Sequence, residues 1–68
     1  MDYQQRVVEE ARELLMKIGA LDKFIGSSSV FMGLNTDERA RMVKQLNVMK
    51  EYHAILVDRI AHFKKTSP

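Results

Sequence analysis

Between Asn35 and Ser67 the chain contains no glycine and no proline, so nothing interrupts a helix through nearly half of its length. Met42, Leu46, Met49, His53, Leu56, Ile60 and Phe63 recur there at steps of four and three. That row is one face of an α-helix, and Arg39, Arg41, Lys44, Lys50, Glu51, Asp58 and Arg59 fill the opposite, wet face. Asn35 or Thr36 is positioned to cap the first turn, with Glu38 three residues after Asn35 as in a capping box. Asp37 and Glu38 sit where the helix dipole favours carboxylates, and Lys64 and Lys65 close the other end. A helix over about residues 36–64 is expected.

The first half repeats the pattern. Tyr3, Val7, Ala11, Leu14, Ile18, Leu21 and Ile25 form a second row, which predicts a helix over about 3–25 with Asp2 as its N-cap. Gly19 lies inside it and costs about 1 kcal/mol against alanine. It implies either close approach of a neighbouring helix or a kink. Gly26 suits a left-handed C′ position and, with Ser27-Ser28-Ser29, ends the helix. The connector 26–35 carries Val30-Phe31-Met32-Gly33-Leu34, too apolar for a solvated loop, so it is expected to fold back and plug the open end. Residues 65–68 are left as a frayed tail. The fold class is all-α: an antiparallel hairpin of two long helices in a single domain spanning 1–68.

One stripe per helix satisfies a hairpin, yet Val8, Leu15 and Phe24 add apolar surface to the first helix. Val43, Val48, Tyr52, Ile55 and Val57 do the same for the second. A chain of 68 residues has a core that seldom supplies more than about 3–5 kcal/mol without a staple. It has no cysteine for a disulfide, and its two histidines lack partners at zinc-ligand spacing. Oligomerisation is the remaining staple, so a helical homo-oligomer is expected.

The sequence also narrows the chemistry. It has no Gly-rich phosphate loop, no GxSxG and no His-Glu-x-x-His, which argues against an enzyme, a metal site or a bound cofactor. Glu9 and Glu10 read as solvated helix face, and Ser27–Ser29 as a polar turn. No run reaches 18 apolar residues, and the first six residues lack the apolar core of a signal peptide. Neither a membrane span nor a leader is expected. A net charge of +2 is too small to imply a DNA or RNA duplex as partner. Tyr3 has two readings. Its ring packs on Ile60 and Phe63 at the far end of the second helix, or it is a stacking platform for a flat ligand.

The runs Tyr3-Gln4-Gln5-Arg6-Val7-Val8-Glu9-Glu10, Leu21-Asp22-Lys23-Phe24-Ile25, Gln45-Leu46-Asn47-Val48-Met49-Lys50-Glu51-Tyr52 and Leu56-Val57-Asp58-Arg59-Ile60 together resemble one small phage family. It is the helical-hairpin domain of anti-CBASS and anti-Thoeris proteins that sequester cyclic nucleotides. The resemblance implies a compact homo-oligomer, a hexamer in the family. Such a protein works in the cytoplasm of the infected bacterial host and holds cyclic di- or trinucleotide messengers without cleaving them. It implies pockets between protomers, with Tyr3 stacking on a base beside Gln4, Lys17 meeting phosphate, and Arg59 serving a pocket for larger rings. Ile18 and Ala20 depart from the pattern, standing where polar or basic pocket residues are expected. That points to a chain that keeps one ligand class and loses another. The alternative is an all-α oligomeric interaction module with no nucleotide ligand, docking a partner protein through its spare apolar surface.

Overall fold

The computed structural model describes residues 2–66, with side chains described as far as Phe63. Two long helices lie antiparallel and enclose one narrow core, in a body 53 × 16 × 15 Å in extent. No strand occurs among the described residues.

The first helix, α1 (Tyr3–Ser27), begins where the sequence signs it. The Asp2 carboxylate accepts a 2.9 Å hydrogen bond from the Gln5 amide, satisfying one of the donors that a helix start leaves open. Its end differs from expectation. The helix runs through Gly26 to Ser27, and no residue described has a positive φ, so Gly26 is not a left-handed cap. Ser28 takes over instead. Its backbone is extended, its amide donates to the Phe24 carbonyl at 3.1 Å, and its hydroxyl accepts from the amides of Val30 and Phe31. One residue thus closes α1 and opens the short helix α2 (Ser29–Gly33), which removes the need for a left-handed turn. Within α2 the apolar residues divide. Phe31 is buried and meets the Phe24 ring edge-on, centroids 6.1 Å apart. Val30 and Met32 point outward, so only Phe31, with half-buried Leu34 after it, plugs the open end of the hairpin.

The third helix, α3 (Thr36–Thr66), is capped by Asn35, whose side-chain oxygen accepts from the Glu38 amide at 2.8 Å. Only that half of the capping box forms, because the Glu38 carboxylate turns to Arg41 at 2.9 Å instead of reaching back. α3 takes in Lys65 and Thr66, two positions assigned above to the tail. The rest of that tail, 67–68, and the Lys64 and Lys65 side chains lie outside the described residues. The core is the pair of rows read from the sequence. Val7, Ala11, Leu14 and Ile18 bury against Leu46 and Leu56, flanked by Leu21, Ile25, Met49, Ile60 and Phe63. His53 lies half-buried in the α3 row.

Gly19 is neither of the things expected of it in this chain. A β-carbon built there meets nothing within 4 Å, and α1 continues across it as regular helix. Gly19→Ala is therefore expected to stabilise the fold by about 1 kcal/mol, seen as a higher urea midpoint at unchanged slope. A lower midpoint would show that another protomer packs against this backbone.

The spare apolar residues remain uncovered. Val8 and Leu15 on α1, and Val43, Val48, Tyr52, Ile55 and Val57 on α3, are each exposed. Val48, Tyr52 and Ile55 follow one another at steps of four and three, a second row on α3 turned away from the core. Phe24 leaves this set, because Phe31 half-covers it.

Candidate functional site

Antiparallel packing brings the first turn of α1 to the last described turns of α3. There the Tyr3 ring stands edge-on to Phe63, with centroids 5.6 Å apart and planes at 75°. This T-shaped contact presents the electron-poor edge of one ring to the face of the other. It does not bury Tyr3, which keeps 59% of its surface open. The packing reading of Tyr3 is met by this edge contact with Phe63, and the exposed remainder of the side chain is where a stacking partner would have to lie.

Beside this pair lies an open groove of about 380 Å³, within the size range of small-ligand sites. Its floor and wall include Phe63 from α3 and Val8 from α1, and its polar lining comes from Asp2, Gln4, Gln5, Glu9 and Arg12. Gln4, which lines this groove, is half-buried. Glu9 and Arg12 sit three apart, on neighbouring turns of one helix face. The ion pairs among the described residues are Glu38–Arg41 and Asp58–His62, so neither Glu9 nor Arg12 is neutralised by the other. Asp2 is already committed to capping α1.

The other expected site residues fall elsewhere. Arg59 is exposed, one turn before Phe63, so it shares the Tyr3 end of the hairpin. Lys17 is exposed and lies 14 residues from Tyr3, about 21 Å along α1. One small ligand cannot reach both within one chain. A second groove, of about 350 Å³, opens at the turn end between Ala20, Lys23, Phe24, Ser27 and Ser28. Its walls are mostly apolar, and Lys23 is its cation.

The Ser27 hydroxyl donates to the Lys23 carbonyl and the Ser28 hydroxyl caps α2, so neither is bonded to a histidine or a carboxylate. Among the described residues no group of three or more His, Cys, Asp or Glu is placed to hold a metal ion. No helix among the described residues is long and apolar enough to cross a membrane. Of the residues lining the groove only Gln4 was expected at a site; Asp2, Gln5, Val8, Glu9, Arg12 and Phe63 were not. Glu9 and Arg12 look like any solvated pair on a helix, and Phe63 reads as core. Only the antiparallel register places all three around one cavity.

Comparison with known proteins agrees over nearly the whole chain. A family model described as Sequestin matches residues 1–62. A protein of Enterobacteria phage T4, described as an uncharacterized 7.5 kDa protein in the denB-rIIB intergenic region, is 42% identical over 62 residues, covering 91% of this chain and 95% of the phage protein. No solved structure matches the chain.

Proposed function

The chain belongs to the Sequestin family, and from that premise we propose that it is a phage anti-defence protein that binds cyclic oligonucleotide messengers and withholds them from their effectors. The family name itself speaks of sequestering. The observation that carries the nucleotide reading is the open Tyr3 ring, braced by Phe63 at the lip of a polar groove. A base has a flat face for that ring and hydrogen-bonding edges for the amides of Gln4 and Gln5.

In this proposal residues 1–68 form one hairpin domain that assembles as a homo-oligomer, a hexamer by resemblance, in the cytoplasm of the infected bacterium. The uncovered rows through Leu15 and through Val48 and Ile55 supply the contacts between protomers. Pockets at those seams bring Tyr3 and Gln4 of one protomer to the Lys17 of another, resolving the distance that separates them within a chain. Arg59 then offers its guanidinium fork to phosphate in a pocket for larger rings. Ligand is held and not cleaved, so the protein acts by mass action and has to be made in amounts comparable to the messenger.

Calorimetric titration against a panel of cyclic di- and trinucleotides tests this reading. Saturable binding below about 1 μM, some 8 kcal/mol of affinity, is the expected result. A well-folded sample giving no heat with any member would sink it for that panel. The same exposed rows favour a second reading, a module that docks a partner protein, which that negative outcome would bring forward.

A further inference from the structure

We infer that Glu9 makes the groove beside Tyr3 a reader of guanine, so that among cyclic dinucleotides the guanine-containing rings are held in preference to the adenine-containing ones. The inference rests on the cyclic-nucleotide reading above and adds to it the identity of the base.

The argument is one of hydrogen-bond complementarity. The Watson–Crick edge of guanine presents two adjacent donors, N1–H and N2–H, with the O6 acceptor beside them. A carboxylate supplies two acceptor oxygens and no donor, so it matches the two guanine donors together. Adenine offers N6–H beside the bare N1 lone pair, and a carboxylate meets that lone pair with repulsion. Of the two carboxylates lining the groove, Asp2 is taken by the Gln5 amide at the helix start. Glu9 is exposed and has no ion pair among the described residues. The amides of Gln4 and Gln5 line the same cavity and can donate to O6. Phe63 supplies an apolar wall, and Arg12 stands three residues from Glu9, a cation for the phosphate attached to the base that Glu9 holds. The volume of about 380 Å³ accommodates one base with its sugar and leaves the rest of a cyclic dinucleotide to lie outside, as a shared pocket requires.

Cyclic di-GMP and cyclic di-AMP, titrated against the unmodified protein and against Glu9→Gln, test this directly. Unmodified protein is expected to bind cyclic di-GMP roughly 5- to 150-fold more tightly, the discrimination of one good bidentate contact. Glutamine offers one acceptor and one donor, the pattern adenine accepts. Glu9→Gln is therefore expected to cut cyclic di-GMP affinity by a similar factor while leaving or improving cyclic di-AMP affinity. Glu9 is exposed, and circular dichroism of the variant should match the parent. Equal affinities in the unmodified protein, a preference for cyclic di-AMP, or an equal loss for both rings in the variant would each overturn the assignment while leaving the nucleotide reading intact. If the unmodified protein binds neither ring nor any trinucleotide, both readings fall together.

Discussion

Replacing Leu56 with alanine is expected to abolish the folded state of the hairpin taken alone. Leu56 is 1% exposed, the most deeply buried side chain described, and it sits where the α3 row meets Val7, Ala11 and Leu14 of α1 in one cluster. Truncating a buried leucine removes its transfer energy and leaves a cavity that a rigid surround only partly fills, at about 2–5 kcal/mol. A core this size holds roughly 3–5 kcal/mol in all. The two figures are comparable, so the variant should lose its thermal transition, or show it only at high protein concentration where assembly adds stability. Ile55 is the control. It is adjacent in sequence but 58% exposed, so alanine there should cost an isolated hairpin less than about 1 kcal/mol. If Ile55 lies between protomers, Ile55→Ala instead lowers the assembly mass in sedimentation. Equal destabilisation by both substitutions at a concentration where the chain is monomeric would contradict the burial pattern.

Tyr3→Ala should weaken cyclic-nucleotide binding by roughly 5- to 150-fold, the equivalent of about 1–3 kcal/mol for one stacked base. The ring is the open member of an aromatic pair, so its removal takes a platform from the ligand. The fold loses only an edge contact to Phe63, worth about 0.5–1.5 kcal/mol. Tyr3→Phe keeps both and should bind nearly as the parent does. The ratio between the two variants separates stacking from packing. If alanine destroys assembly as well as binding, the ring is structural. If neither variant changes affinity, Tyr3 is not part of the pocket.

Periodicity made the core legible, and local polar chemistry made the turn illegible. Val7, Ala11, Leu14 and Ile18 bury against Leu46 and Leu56 because steps of three and four put each set on one helix face, a property of spacing alone. Asp2 and Asn35 cap their helices for an equally local reason. The connector was harder. Three successive serines look alike in sequence, and only the chain path selects Ser28 to cap both ways. Once it does, Gly26 has no left-handed role left to fill, and α1 runs past it. Val30 and Met32 are as apolar as Phe31, yet α2 has one inward face and Phe31 occupies it.

The site divides in the same way. Tyr3 and Gln4 were readable as binding candidates from resemblance, and the structure sets both beside the polar groove at one end. Glu9 and Arg12 were not readable, since a charged pair on an exposed helix face is ordinary until Phe63 arrives from the far end of the chain to wall a cavity around it. Lys17 and Arg59 remain apart from that groove within one chain. In the proposed assembly a second protomer brings them to a pocket.

Stoichiometry measured by calorimetry, on a sample whose mass is fixed by sedimentation, distinguishes pockets shared between protomers from a pocket within one chain. Pockets built between protomers predict fewer than one cyclic dinucleotide per chain, bound to an assembly of defined size whose mass is unchanged by ligand. One ligand per chain on a monomer would contradict shared pockets, and no binding by a well-folded assembly would contradict sequestration of these messengers.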